Sequence, residues 1–279
     1  MAVVVLGLAS ALFWGSGDFG GGLVTRRAPV LSVVAVTQAI GGFAALGLAV
    51  VRGEPFPSTP DIALAIVAGF AGLVGITCLY QGLAVGRMGV VAPTTGVLSA
   101  VVPVMVGMAV EGIPHPAVIV GILVAFVAVV LVTRAPGADP SRPSGIAWAL
   151  AAGLSTGVFN TCIGQLSGTT ALGPLVIARL LQALLLVTII VVGRRPWRMP
   201  RDIPPRLIGI GLLDMGGNAA FILASQAGAL AIAAVLSSLY PVVTVVLAIL
   251  ILREHVTRSH VAGIALTAVA IALIAAGAA

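Results

Sequence analysis

The most conspicuous absence in this 279-residue sequence is charge. Only 8% of its residues are Asp, Glu, Lys or Arg, whereas 60% are hydrophobic and the mean hydropathy is +1.21. A soluble domain usually carries about 25% charged residues. So little charge does not cover the water-facing surface of a chain this long, which excludes a soluble enzyme or a soluble nucleic-acid-binding protein. The composition indicates a protein that crosses a membrane several times.

Lysine is absent and cysteine is scarce. All 14 basic residues are arginines, and the two cysteines, Cys78 and Cys162, lie inside apolar segments. Two such thiols form neither a disulfide framework nor a metal site, and we expect no bound metal or cofactor. The formal net charge of +6 does not indicate a nucleic-acid partner. Most of the arginines stand in short loops between apolar runs, where they set membrane topology.

Apolar windows separated by breaks rich in Gly, Pro and Arg predict ten membrane-spanning helices. They run over 2–24, 30–51, 61–83, 89–111, 115–133, 145–166, 172–193, 206–227, 230–252 and 259–278. The alternating pattern of membrane β-strands is missing, so the predicted fold class is an all-α membrane protein. The first window has no cleavage signal and is interpreted as a retained span, not a signal peptide.

The two halves of the chain repeat each other. A shift of 142 residues aligns Gly15 with Gly157 and Gly75 with Gly217, without a gap, and pairs span one with span six through to span five with span ten. We therefore predict a first repeat over 1–134, a linker over 135–142 and a second repeat over 143–279. Since five is an odd number, the second repeat enters the membrane from the opposite face. Inverted repeats are typical of secondary transporters, which bind their substrate between the halves.

Ionisable side chains inside spans are costly, which makes them candidates for function. Asp18, Arg179 and Asp214 lie deep in spans one, seven and eight, whereas Glu111 and Glu254 fall at span ends, where a solvated or capping role is expected. A rise of about 1.5 Å per residue brings further polar side chains to a similar depth. The predicted substrate pathway comprises Trp14, Asp18, Tyr80, Ser99, Asn160, Arg179, Asp214, Asn218 and Tyr240.

The charged residues of this set have alternative roles. Arg179 binds a substrate carboxylate or phosphate, or it is held by Asp214 as a buried ion pair. Asp18 accepts a proton or a substrate amine, with Trp14 and Tyr240 as aromatic walls of a central cavity. The neutral polar residues have the alternative role of bridging neighbouring helices.

Two short patterns imitate catalytic motifs. GSGDFG at 15–20 matches a dinucleotide-binding fingerprint, but it lies inside a predicted span and follows no strand. GLSTG at 153–157 matches a nucleophile pattern around Ser155, but all three histidines stand at or beyond span ends. We therefore predict no catalytic residue and do not expect an enzyme.

Two segments resemble a known family. SSLYPVVTVVLAILILREHVTRSHVAGIALTAVAIALI at 237–274 is similar to the second EamA domain of the drug/metabolite transporter superfamily, and ALFWGSGDF at 11–19 resembles its first-helix pattern. The resemblance implies a ten-helix carrier of small metabolites, often directed outward and commonly coupled to protons or exchange. The sequence departs from the family pattern at 253–255, where Arg-Glu-His replaces Gly-Glu-Arg, and at Asp18, where many members have an uncharged side chain.

The predicted function is a secondary active transporter, an exporter in the first place, of a small polar metabolite or drug that is amino-acid-like or an organic acid. The alternatives are an uptake carrier of the same fold and, from another class, an intramembrane enzyme or a lipid- or partner-binding membrane protein. The expected partners are the substrate, the lipid bilayer and protons, without nucleic acid, in a monomer or a homodimer. The expected location is a bacterial plasma (inner) membrane.

The arginines also predict an orientation. The loops after odd-numbered spans carry twelve of the 14 arginines, whereas the loops after even-numbered spans carry only Arg52. The positive-inside rule then places the odd-numbered loops in the cytoplasm and both termini outside. The family resemblance implies the opposite orientation, with both termini in the cytoplasm.

Overall fold

The computed structural model describes residues 1–86, 88–133, 145–167, 170–252 and 258–277, and these residues form eleven α-helices. The helices are α1 (Ala2–Thr25), α2 (Val30–Arg52), α3 (Thr59–Val85), α4 (Met88–Glu111), α5 (Pro116–Thr133), α6 (Ile146–Gly164), α7 (Leu172–Val192), α8 (Pro204–Ala227), α9 (Leu230–Ser237), α10 (Tyr240–Leu252) and α11 (Arg258–Gly277). No strand occurs within the described ranges, which confirms the all-α prediction. The predicted linker and the 253–255 departure from the family pattern lie outside the described residues.

Several helices have the length and composition of membrane spans. Among the described residues, seven helices are long and apolar enough to cross a membrane, and three shorter apolar stretches lie at 116–131, 230–244 and 261–274. Large apolar side chains point outward from the bundle, including Phe43 (64% exposed), Phe70 (52%) and Leu184 (64%). A soluble protein rarely exposes so much apolar surface, whereas lipid favours it. The chain is therefore a multi-pass integral membrane protein, and the count of ten crossings stays a prediction.

The predicted ninth span is divided into α9 and α10 at Ser238 and Leu239. The break precedes Pro241, which has no N–H to donate to the carbonyl group one turn earlier and whose ring displaces that carbonyl. At the break, backbone hydrogen bonds span three residues instead of four, such as the bond from the Leu239 N–H to the Leu236 carbonyl oxygen (3.3 Å). The helix is thus interrupted beside Tyr240.

The two halves of the chain pack on each other symmetrically. Helix α1 packs on α8, and α3 packs on α6. The 142-residue shift relates α1 to α6 and α3 to α8, so these two contacts are equivalent. Helix α2 packs on α7 and α5 packs on α11, and each of these pairs joins two related helices. The shift found in the sequence therefore also relates the helix contacts of the folded chain.

Small residues at related positions allow these helices to approach closely. A side chain at Gly75 of α3 would overlap Thr156 of α6, and one at Gly217 of α8 would overlap Trp14 of α1. Thr156 and Trp14 are themselves related by the same shift of 142 residues. Glycine at both positions keeps the two helix pairs at matching distances, as small residues do in membrane helix packing.

At one end of the helix bundle, acidic side chains of the first half accept hydrogen bonds from the second half. We call it the carboxylate end after Glu54, Asp61 and Glu111. Asp61, only 3% exposed, accepts hydrogen bonds from the backbone N–H of Ser167 (3.0 Å), the Ser167 hydroxyl (2.6 Å) and the Thr170 hydroxyl (3.3 Å). Asp61 belongs to the first half and its partners precede α7 in the second. The carboxylate therefore bonds one half to the other.

The other two carboxylates meet the first turns of second-half helices. Glu54 accepts from the N–H groups of Leu172 (2.9 Å) and Gly173 (3.1 Å) at the start of α7. Glu111 accepts from the N–H of Leu230 (3.0 Å) at the start of α9, which agrees with the capping role expected at a span end. The first N–H groups of a helix lack internal partners and favour negative charge, so both contacts are stabilising.

The opposite end is the arginine end, defined by exposed residues of the α1–α2 and α7–α8 connections. They are Arg26, Arg27, Arg194, Arg195, Arg198 and Arg201, and Arg206 adds a further exposed arginine from the first turn of α8. Arg27 bonds Asp202 at 3.1 Å, Arg206 bonds the same carboxylate at 3.4 Å, and the Ser32 hydroxyl donates to the Pro196 carbonyl oxygen at 3.4 Å. Beneath these contacts lies an apolar cluster that includes Val24, Val33, Leu83, Leu186, Ile190, Ile203 and Leu207, here called the arginine-end cluster.

Polar residues lie between apolar layers in the middle of the bundle. Along α7, Leu175 belongs to the larger apolar cluster of the protein, Arg179 and Gln182 follow, and Leu186 belongs to the arginine-end cluster. The same layers recur on α2, which packs on α7, where Val34 belongs to the arginine-end cluster, Gln38 follows and Ala45 belongs to the larger cluster. A polar layer thus stands between two apolar layers, at the depth where the sequence predicts the functional residues.

Candidate functional site

A cavity occupies the polar layer. Seven helices contribute to it: α1, α2, α3, α6, α7, α8 and α10. Its lining residues are Trp14, Asp18, Gln38, Gly72, Ile76, Leu79, Thr156, Phe159, Asn160, Arg179, Gln182, Asp214, Asn218 and Tyr240. A cavity that is mostly apolar, with a few convergent polar groups, has the character of a small-molecule site.

The cavity lies where the two halves meet, and related positions face it from both sides. Four pairs of lining residues are separated by 142 positions: Trp14 and Thr156, Asp18 and Asn160, Gly72 and Asp214, Ile76 and Asn218. The backbone positions match, whereas the side chains differ in each pair. The cavity is therefore symmetric in its scaffold and asymmetric in its chemistry.

The charged centre of the cavity is a closed set of bonds around Arg179, which is 1% exposed. Its Nη1 donates to Gln38 Oε1 at 2.8 Å and to Asp214 Oδ2 at 2.9 Å, and Gln38 Nε2 donates to the same Asp214 oxygen at 3.1 Å. Gly41 leaves the space beside Nη1 that a side chain would fill. Of the two roles considered for Arg179, the structure contains the ion pair with Asp214.

Asn218 completes this centre from the next turn of α8. Its Nδ2 donates to the Asp214 carbonyl oxygen at 2.8 Å and lies 3.4 Å from Asp214 Oδ1. The amide is thereby oriented, with its own Oδ1 left as an acceptor. Arg179 and Asp214 form a buried charged pair. Removing either member leaves the other charge uncompensated, which typically costs about 3–5 kcal/mol of stability.

Asp18 differs from Asp214 because it has no counter-ion. Among the described residues, none forms a hydrogen bond or an ion pair with its carboxyl group. Its electrostatic neighbours include the Asp214 carboxyl group and the Tyr80 and Tyr240 hydroxyls. A carboxylate in this position is stabilised by a proton or by a cationic ligand.

Three further polar atoms of the cavity residues lack partners. Asn160 Oδ1, Asn218 Oδ1 and Arg179 Nε are buried and make no hydrogen bond within the described part of the chain. Their residues are 3%, 2% and 1% exposed, respectively. An unsatisfied buried polar atom costs about 1–3 kcal/mol, and nearly all such atoms in proteins are paired. These atoms therefore indicate a polar ligand at this site.

Aromatic rings form one wall of the cavity. The Trp14 and Tyr240 rings lie 6.4 Å apart at an interplanar angle of 85°, and Trp14 also lies 5.7 Å from the Phe221 ring. Edge-to-face contacts of this kind hold the rings in place. The break between α9 and α10 positions Tyr240 at the first residue of α10, toward Trp14.

Seven of the nine residues predicted for the pathway line the cavity, and Tyr80 and Ser99 do not. The Tyr80 hydroxyl packs against Gly21 of α1. The Ser99 hydroxyl donates to the Gly96 carbonyl oxygen at 2.9 Å and reaches the Tyr240 hydroxyl. Both therefore stand behind the cavity wall.

Four polar or aromatic lining residues were not among the predicted ones: Gln38, Gln182, Thr156 and Phe159. Gln38 and Gln182 carried a usable signal, because an amide in the middle of an apolar span is also costly. Gln182 lies one turn after Arg179, and Thr156 occupies the position related to Trp14. Within the described residues, no group of three or more His, Cys, Asp or Glu side chains could hold a metal ion.

Comparison with known proteins identifies the two halves. Residues 1–134 and 143–276 each match the EamA-like transporter family, which confirms the resemblance read from the sequence. A solved crystal structure aligns with 99% of this chain and 97% of its own chain, at a TM-score of 0.78 and 18% identity, so the two share a fold. No curated protein matches the chain significantly.

Proposed function

The chain belongs to the EamA-like transporter family, and from this we propose that it is a secondary active transporter of a small polar metabolite or drug, working mainly as an exporter. The proposed substrates are amino-acid-like molecules or organic acids. The family consists of transporters of the drug/metabolite type and not of enzymes. The proposed location is the plasma membrane of a bacterium, with the substrate and protons as partners.

One observation carries the proposal: the cavity is lined by related positions of both halves. In an inverted-repeat transporter, the substrate site lies at the interface of the repeats and becomes accessible from each side as the halves move. We propose this architecture here, with ten helices in repeats over 1–134 and 143–279 and a linker over 135–142. The symmetric packing of α1 on α8 and α3 on α6 supports it.

Flux through liposomes tests this proposal. Purified protein is reconstituted, and efflux is measured for radiolabelled amines, amino acids and organic acids. Ile76→Trp fills the cavity, and we expect it to slow the flux of the transported compound at least tenfold. Val74→Trp is the matched control, since Val74 lies on the same helix with 46% exposure, facing outward. Equal flux in the two variants would contradict the proposed pathway, provided that both elute as single species.

We propose in addition that transport is coupled to protons through Asp18. Asp214 is bonded to Arg179 and Gln38, whereas Asp18 has no such partner among the described residues. The Tyr80 and Tyr240 hydroxyls are among the electrostatic neighbours of the Asp18 carboxyl group. Asp18 is therefore the cavity carboxylate whose charge a proton neutralises without breaking an ion pair.

The dependence of flux on a pH gradient tests the coupling. Asp18→Asn is expected to lose the acceleration of flux that an imposed pH gradient produces, measured against the flux of the same variant without a gradient. Asp202→Asn, at the exposed arginine end, is expected to keep that acceleration. If Asp18→Asn responds to the gradient as the unmodified protein does, the proton site lies elsewhere, and Asp214→Asn becomes the decisive variant.

A further inference from the structure

We propose that the cavity recognises organic amines, with the ammonium group bound by the Asp18 carboxylate and the side-chain carbonyl oxygens of Asn160 and Asn218. This inference rests on the proposed function, since it assigns a substrate class to the same cavity. It narrows the choice between amine and organic-acid substrates that the sequence leaves open.

The first argument is the distribution of charge. The described lining residues include two carboxylates, Asp18 and Asp214, and one guanidinium, Arg179. Arg179 is bonded to Asp214 and Gln38 at 2.9 and 2.8 Å. An organic anion would have to compete with Asp214 for Arg179, and it would meet the uncompensated charge of Asp18. An organic cation needs no such rearrangement, because Asp18 supplies its counter-ion.

The second argument is the type of the unpartnered atoms. Asn160 Oδ1 and Asn218 Oδ1 accept hydrogen bonds and cannot donate them, and both are buried without a partner. Asp18 adds carboxylate oxygens to these acceptors. An ammonium group offers up to three N–H donors and no acceptor, so it matches this set. A carboxylate offers only acceptors, so it would satisfy the unpartnered Arg179 Nε–H but none of these oxygens.

Asn160 and Asp18 approach the ligand from opposite halves. The two positions are related by the 142-residue shift, on α6 and α1. An ammonium group between them would be bonded by both repeats at once. This arrangement suits a site that must stay formed while the halves change their relative position.

The third argument is the aromatic wall. Trp14 stands one helical turn before Asp18, and Tyr240 lies 6.4 Å from the Trp14 ring. The faces of aromatic rings attract cations, and the attraction increases when the cation leaves water. The same rings provide apolar contact for the carbon skeleton of the amine.

Two probes with the same phenylethyl skeleton and opposite charge test the inference: phenethylamine and 3-phenylpropionate. The reporter is the fluorescence of Trp14 in a protein carrying Trp148→Phe and Trp197→Phe, which removes two tryptophans that are 41% and 65% exposed. We expect saturable binding of the amine, at least tenfold tighter than binding of the acid. Charge-assisted hydrogen bonds support a difference of about this size.

Variants in the same reporter locate the ammonium group. Asp18→Asn is expected to weaken amine binding at least tenfold, and Asn160→Leu to weaken it severalfold. Asp202→Asn, far from the cavity at the arginine end, is expected to leave it unchanged. Elution as a single species verifies that each variant is folded. If Asp18→Asn does not fold, Asn160→Leu still tests the inference.

Any of three results overturns the inference: the acid binds as tightly as the amine, both cavity variants keep the amine affinity of the reporter protein, or the amine does not bind. Its failure is distinct from failure of the proposed function. If Ile76→Trp blocks the flux of an organic acid, the transporter stands and the amine specificity is wrong. If Ile76→Trp changes no flux at all, the transport pathway itself is wrong, whichever probe binds.

Discussion

At the carboxylate end, Glu54, Asp61 and Glu111 of the first half each bond backbone or hydroxyl groups of the second half. At the arginine end, the polar contacts between the halves include one exposed ion pair, Arg27 with Asp202, and one hydroxyl bond from Ser32. Both ends join the same two halves. They do so with groups that differ in burial and in charge.

The repeat explains why the two ends differ. The 142-residue shift relates Asp61 to Ile203 and Glu54 to Pro196. Ile203 is 1% exposed and packs in the arginine-end cluster, at the position where the carboxylate end has a hydrogen-bonded acid. The related positions therefore join the halves differently, by directed hydrogen bonds at Asp61 and by apolar packing at Ile203. A motion of the halves would break a different type of contact at each end.

The largest expected effect is that of Asp61→Ala. The substitution leaves the Ser167 N–H and the hydroxyls of Ser58, Ser167 and Thr170 without their acceptor at a buried site. We expect a loss of about 3 kcal/mol in the free energy of unfolding, from the desolvation of these groups. Titration with a denaturing detergent in mixed micelles measures it. Asp61→Asn, which keeps an acceptor oxygen, should lose less, and equal losses would show that the hydrogen bonds are not responsible.

A smaller effect is expected for Glu54→Gln. Glutamine retains an oxygen for the N–H groups at the start of α7, so only the charge is removed. A charge at a helix N-terminus contributes about 0.3–1 kcal/mol, and we expect a loss in that range from the same titration. The effect should decrease with added salt. A salt-independent loss would indicate altered packing of the loop and not the charge.

The smallest effect is expected for Arg27→Ala at the arginine end. The side chains of Arg27 and Asp202 are 58% and 41% exposed, and exposed ion pairs contribute about 0–1 kcal/mol. We expect a change within about 0.5 kcal/mol, below that of Glu54→Gln. A loss as large as that of Asp61→Ala would remove the distinction between the two ends.

The sequence located the deep charges because their cost in a membrane does not depend on the fold. Asp18, Arg179 and Asp214 stand out in long apolar runs, and all three line the cavity. Gln38 was missed, although it bonds both Arg179 and Asp214. In the sequence, an amide that bonds charged residues looks the same as an amide that only bridges two helices. Its role depends on the helix face that α2 presents to α7.

The carboxylate end was accessible to sequence reasoning only in part. Glu111 at a span end was expected to be solvated or to cap a helix, and it caps α9. Nothing in the sequence paired Asp61 with Ser167, because the two are 106 positions apart and belong to different halves. Such contacts follow from how the halves pack, and side-chain type alone does not encode them.

The sequence by itself determined a helical membrane protein with two related halves and three deep charges. These properties depend on the length of apolar runs, on the spacing of identical residues and on the rarity of charge, all of which are read along the chain. Only the tertiary structure decided that Asp214 bonds Arg179 while Asp18 has no bonding partner among the described residues. Both acids are embedded in apolar spans, and the difference arises because α7 brings a guanidinium to one of them and not to the other.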